Sequence, residues 1–295
     1  MIRNVRSSTT RPVQSRIPAA IALTLALVVL ATACPPAALA QTPETGDEAV
    51  IENRGENEIV LIHTIGSSAE VWDSVKPSLE LGYKVWTFEL PGHGKTPTIP
   101  DLTIDSAAEL LGEFLVENKI VYPVVVGHGM GGMIAMRYCF THPIAFKKLV
   151  LIDAGPKQMA DRRQKIDITE QLTTNYDEFI ANYFLGTSQV DSIARGLADQ
   201  ALRTDRNSLT ELLMSSFDFD VSAELPMQAV PMLVIGSAML FPDTDSGGVT
   251  RALQELGFGA ARTISFKTMP HNGHFMMLEN PKYLASVIAA FTLKN

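Results

Sequence analysis

Apolar residues along this chain follow two alternating rhythms. Short runs rich in Val, Ile and Leu lie at 56–63, 83–89, 120–126, 148–153, 231–236 and 262–267, each bounded by Gly, Pro or polar residues, and they predict strands. Between them the apolar positions recur at helical spacing: near Trp72, over 104–117 through Ala107, Leu110, Leu111, Phe114 and Leu115, and over 130–140, 248–256 and 281–291. Strands alternating with helices imply right-handed crossovers and therefore a mostly parallel, doubly wound α/β sheet. From 155 to 230 the rhythm changes. Helical stretches are expected at 176–185, 190–202 and 209–217, with no strand among them. A helical insertion at that point predicts a lid (156–230) over the carboxyl ends of the strands, with 41–155 and 231–295 forming the core.

The first forty residues are of a different kind. Arg3, Arg6, Arg11 and Arg16, with no acid among them, precede an apolar run over 17–33, and Ala38-Leu39-Ala40 stands before Gln41. That order predicts a secretory signal peptide (1–40), cleaved in a protein that is periplasmic or secreted. The apolar run is short for a membrane span. A competing reading is a lipoprotein site at Ala31-Thr32-Ala33-Cys34, with a lipid anchor on Cys34.

Composition changes this picture in one respect. The whole chain carries a net charge of −8, and loss of the four arginines takes it to −12, which argues against nucleic acid or anionic lipid as a partner. Cys139 is then the only cysteine left, so no internal disulfide can form, and its place in an apolar helix reads as a small buried hydrophobe. Neither the histidines nor the carboxylates have metal-ligand spacing, and no phosphate loop or dinucleotide fingerprint occurs, so no metal or cofactor is implied.

The candidate chemistry centres on Val124 to Ala135, where a β-branched run meets Gly127-His128-Gly129-Met130-Gly131 and a helix begins. Strand, tight turn and helix are the context of a G-x-S-x-G nucleophile elbow, but the serine position is Gly129. Three further motifs follow the same order: His63-Thr64-Ile65-Gly66-Ser67-Ser68 with Trp72, Pro91-Gly92-His93-Gly94, and Gly273-His274-Phe275 with Glu279 and Pro281. Together these resemble the α/β-hydrolase fold superfamily over nearly the whole mature chain. The first loop is closest to the enol-lactonase/esterase-like branch.

The resemblance implies a base at His274 and oxyanion-hole N–H groups at Ile65 and Met130. The nucleophile position is Gly129, and the acid is either Asp153 or Asp243. The usual acid position, three residues past Gly236, is Met239. His128 and His93 are family companions expected to make structural hydrogen bonds, His271 is a loop residue, and Ser67 and Ser68 are expected to orient backbone.

Glycine at the elbow relieves the strain a side chain would bear there, and it removes the attacking atom. Three readings stay open. One is an ester or lactone hydrolase lineage whose serine-based hydrolysis is lost or strongly impaired, in which Gly129→Ser should restore activity. Another is a cofactor-free lyase- or oxygenase-like enzyme using a His–acid dyad as general base. The last is a non-catalytic protein holding a small apolar or ester/lactone-like molecule, with Tyr183, Phe184, Met214 and Phe217 as its wall.

Overall fold

The structure, a computed structural model, describes residues 57–293 apart from Pro143, Asp243, Thr244 and Thr263. The segment read as an export signal, Cys34 included, lies outside the described residues, and so does Asp243. Six strands form one parallel sheet: β1 (Glu58–Ile62), β2 (Lys84–Phe88), β3 (Val124–His128), β4 (Lys148–Ile152), β7 (Met232–Ser237) and β8 (Ile264–Met269). Their spatial order is β2-β1-β3-β4-β7-β8. The chain moves one way from β1 to β2 and the other way from β3 to β4. Right-handed crossovers therefore place helices on both faces. Accordingly α1 (Lys76–Leu79) packs with α10 (Pro281–Thr292), and α2 (Ile104–Glu117) packs with α3 (Met130–Thr141). The reversal between β1 and β3 is a topological switch point, where open α/β sheets keep their sites.

Burial follows strand position. β3, β4 and β7 are buried along their whole length, whereas edge strand β8 alternates between exposed and covered positions. Lys148 is the exception in type, a lysine inside a central strand. Its Nζ donates to the Phe291 and Thr292 carbonyls at 2.9 and 3.0 Å, at the carboxyl end of α10, where a cation suits the unpaired carbonyls. β3 begins at Val124, after Pro123, rather than at 120. Tyr122 takes φ 56 there, and the proline has no N–H to give to a ladder.

Between β4 and β7 lie α4 (Arg162–Thr174), α5 (Tyr176–Leu185), α6 (Asp191–Arg203) and α7 (Arg206–Ser216). Two features here depart from the sequence reading. α4 is absent from it, because the apolar positions of that helix are sparse. Its signal is the reciprocal cap in which the Asp161 carboxylate takes the Gln164 N–H at 2.8 Å and Gln164 takes the Asp161 N–H at 2.9 Å. Strands β5 (Lys157–Met159) and β6 (Asp218–Asp220) pair antiparallel, against the expectation of no strand in this insertion. Three residues each are too few to show an alternation, and the partners stand far apart in sequence. Helices α8 (Ser246–Glu255) and α9 (Met276–Glu279) complete the chain. Among the described residues no helix is long and apolar enough to cross a membrane.

The turn from β3 to α3 is packed backbone against backbone. A β-carbon on Gly132 would stand 2.5 Å from Ala154 Cβ, and one on Gly131 would stand 2.5 Å from the His63 carbonyl oxygen. Gly196 of α6, by contrast, has open space around it. Urea unfolding should therefore show Gly132→Ala destabilised by about 1–3 kcal/mol through overpacking. Gly196→Ala should be stabilised by about 0.5–1 kcal/mol through helix propensity. Equal effects from the two would refute the packing account.

Candidate functional site

Loops at the carboxyl ends of β1, β3, β4 and β8 converge at the switch point. After β1, His63 is fully buried and locks its loop in place. Its Nδ1–H donates to the Thr64 carbonyl at 2.8 Å, and its Nε2 accepts the Leu90 N–H at 3.0 Å. Ser67 donates to the same Thr64 carbonyl at 2.8 Å. Ser68 caps the following turn by accepting the Glu70 N–H at 3.3 Å, and it takes a bond from Gln200 Nε2 at 2.7 Å. Both serines are thus committed to holding backbone and neighbours.

Gly129 lies between β3 and α3 with φ 50 and ψ −116, a conformation that a side chain makes costly. Its N–H donates to the Ile152 carbonyl at 2.9 Å, which ties the turn to β4. One residue past β4, Asp153 also has a positive φ of 45. Its N–H bonds the Ile235 carbonyl at 2.9 Å, and its Oδ1 accepts the Ser237 N–H at 2.7 Å, so both groups anchor it to β7. Its Oδ2 faces His274 Nδ1 at 3.0 Å. That contact assigns the proton to Nδ1 and leaves the Nε2 lone pair free to accept. Nε2 stands 3.2 Å from the point where a β-carbon on Gly129 would be. The structure thus brings His274, Asp153 and Gly129 together.

The His274 loop is held from two sides. The His274 N–H donates to the Thr187 carbonyl at 2.8 Å. Glu279 accepts the Gly273 N–H at 2.7 Å, the Gln189 N–H at 3.0 Å and the Ser188 hydroxyl at 2.5 Å. Phe184, from the end of α5, is buried, and its ring occupies the space a β-carbon on Gly66 would need. Phe217 is likewise buried and Met214 half-buried, whereas Tyr183 is exposed. Met239, at the usual acid position, is exposed. His271 is an exposed turn residue.

His93 makes the structural bond expected of it, donating from Nδ1 to the Pro91 carbonyl at 2.8 Å. His128 is fully buried beside the base: its ring lies 4.2 Å from the His274 ring, and its hydrogen-bond contact is with the His274 backbone, longer or more bent than a full hydrogen bond. Cys139 is buried, and burial pushes its thiol up to about 12, so it offers no thiolate.

The residue the sequence reading does not single out is Thr64. It is buried, and its Oγ1 accepts the Met130 N–H at 3.1 Å. The Ile65 N–H, the other oxyanion candidate, bonds nothing among the described residues. Thr64 Oγ1 also lies inside contact distance of the point a β-carbon on Gly129 would take, with Thr64 Cβ at 3.0 Å from that point. The only possible signal in the sequence is a branched hydroxyl residue in one loop matched by a missing side chain in another, and nothing local connects the two.

A model of the alpha/beta hydrolase family matches residues 59–287. A probable esterase of Oryza sativa subsp. japonica is 25% identical over 248 residues, 78% of this chain and 89% of that protein. The pimeloyl-[acyl-carrier protein] methyl ester esterase of Vibrio vulnificus is 25% identical over 190 residues, 60% of this chain and 73% of that protein. Among solved structures, the enol-lactonase from Burkholderia xenovorans LB400 superposes with a TM-score of 0.70 at 17% identity, covering 81% of this chain and 92% of its own.

The geometry leads to two expectations. Burial lowers the His63 pKa from 6.5 to about 3, and it lowers those of His93 and His128 as well. As pH falls below 6.5 the unfolded chain takes protons that the fold refuses, so stability should drop progressively between pH 6.5 and about 3. For His63 alone the loss is on the order of 4–5 kcal/mol. Tm measured across that range should fall steeply, and His63→Gln should flatten the slope; an unchanged slope would refute it. The second corrects the expectation for Gly129→Ser, because Thr64 obstructs the new side chain. Alone it should gain little ester hydrolysis, whereas Gly129→Ser with Thr64→Gly, which also frees the Met130 N–H, should exceed it by about a hundredfold. Equal rates would show that Thr64 is no obstacle.

Proposed function

The chain belongs to the alpha/beta hydrolase family, and from that premise we propose that it acts on a small ester or lactone, with His274 as general base oriented by Asp153 and no serine at the turn. The observation that carries this reading is the His274 Nδ1 to Asp153 Oδ2 contact of 3.0 Å, which leaves Nε2 facing the Gly129 turn. The carboxylate keeps the imidazole in the accepting tautomer and stabilises the imidazolium formed when a proton is taken. The Ile65 N–H is the proposed oxyanion donor, joined by the Met130 N–H once that group leaves Thr64 Oγ1, and Met130 opens α3, whose amino end favours developing negative charge.

The ester and lactone chemistry is supported by what the similar proteins are named for: ester hydrolysis in two relatives and an enol-lactone in a solved neighbour. Rates are expected to be low. Removing a triad serine typically costs about a millionfold and leaves roughly a thousandfold over water. The segment between β4 and β7 serves as the lid in this reading, its Phe184 and Thr187 lying over the two catalytic loops. Export belongs to the same proposal, supported by the basic and then apolar order of residues 1–40.

A second reading is favoured by Gly129 itself: the dyad abstracts a proton from a carbon acid, as a cofactor-free lyase or oxygenase would use it. Purified protein assayed with p-nitrophenyl acetate and small lactones should lose about a hundredfold or more in kcat/KM on His274→Ala, with Asp153→Asn also impaired. Unchanged hydrolysis in His274→Ala would sink the hydrolytic reading. A small molecule that raises Tm and is recovered unaltered would instead mark a binding protein.

A further inference from the structure

We infer that the Thr64 hydroxyl is the nucleophile of this site, relocated from the elbow to the neighbouring loop; the inference rests on the hydrolytic reading above. Three observations converge on it. Thr64 Oγ1 lies within contact distance of the spot where a β-carbon on Gly129 would stand, and His274 Nε2 is 3.2 Å from that same spot. The hydroxyl and the base therefore flank one point. Thr64 Oγ1 accepts the Met130 N–H at 3.1 Å, while its own hydrogen has no acceptor among the described residues. The oxygen is thus held, and no hydrogen bond joins it to His274 Nε2 in this structure, so the transfer requires the hydroxyl to turn toward that nitrogen as substrate enters. Finally, the other hydroxyls and the thiol nearby are committed or inert: Ser67 donates to the Thr64 carbonyl, Ser68 caps a turn and takes a bond from Gln200, and Cys139 is buried in α3.

The same geometry explains the glycine. Any side chain at 129 would collide with the threonine, and a β-branched residue in a buried loop has few rotamers to escape to. Thr64 and Gly129 are a complementary pair, in which the hydroxyl stands across the turn and the missing β-carbon makes room for it.

The step balances as ordinary acyl transfer. Thr64 Oγ1 forms a bond to the substrate carbonyl carbon as its proton passes to His274 Nε2. The carbonyl oxygen gains the negative charge beside the Ile65 N–H, joined by the Met130 N–H as Oγ1 gives up that bond. Collapse breaks the bond between the carbonyl carbon and the alcohol or lactone-ring oxygen, which leaves with the proton from Nε2. Water, deprotonated by the same Nε2, then hydrolyses the Thr64 ester and restores the hydroxyl.

Treating the full-length purified protein with an ethoxy fluorophosphonate tests this. Attack by Thr64 expels fluoride and leaves a stable phosphonyl ester, located by peptide mass mapping. The wild type should be labelled at Thr64, and His274→Ala should not. Thr64→Val should lose both the label and about a hundredfold or more of p-nitrophenyl acetate hydrolysis, whereas Thr64→Ser should retain both. His274-dependent hydrolysis without a label on Thr64, a label on another residue, or wild-type rates in Thr64→Val would each overturn the inference and leave the general-base reading standing. If His274→Ala matches the wild type in rate, the hydrolytic reading fails as well.

Discussion

The close approach of the loop after β1 to the turn after β3 is the constraint on which the site depends. Gly131 and Gly132 let the first turn of α3 come against the His63 carbonyl and Ala154, closer than any side chain would permit. That approach brings the Met130 N–H within 3.1 Å of Thr64 Oγ1 and sets the threonine over the Gly129 α-carbon. A close-packed interior leaves no slack for a side chain at both places. Bulk on the loop therefore entails glycine at the turn, and the two positions behave as one unit.

Histidine chemistry in this region is sorted by burial. His63, His93 and His128 are enclosed, and desolvation keeps them neutral, so they serve as shaped neutral pieces that bond or pack. His274 is placed differently, with Asp153 Oδ2 at 3.0 Å from its Nδ1 and 20% of its side chain exposed. Asp153 in turn is fixed through both its N–H and its Oδ1 to β7 rather than to its own strand. A carboxylate held in this way costs little reorganisation when a positive charge forms beside it.

The insertion between β4 and β7 is coupled to the same loops. Glu279 gathers N–H and hydroxyl donors from both the His274 loop and residues 188–189, and the Thr187 carbonyl takes the His274 N–H directly. Movement of the α5–α6 connection would therefore be felt at the imidazole. Phe184 on Gly66 makes a corresponding contact with the loop after β1. The position of this insertion and the alignment of His274 share one set of bonds.

The sequence by itself determined the architecture. Continuous apolar runs separated by helical spacing specify a buried parallel sheet, because local hydrophobic pattern and the handedness of crossovers leave few alternatives. It also marked Gly129 and His274, since turn glycines and a loop histidine carry their signal within a few residues. It missed β5 and β6, where pairing joins distant three-residue segments, and α4, whose polar surface hides its period. The partner of His274 and the place of Thr64 came only from the tertiary structure. Both depend on register between loops far apart in the chain, on the order of β3, β4 and β7, and on how closely backbones approach, and no local pattern of residues encodes a distance.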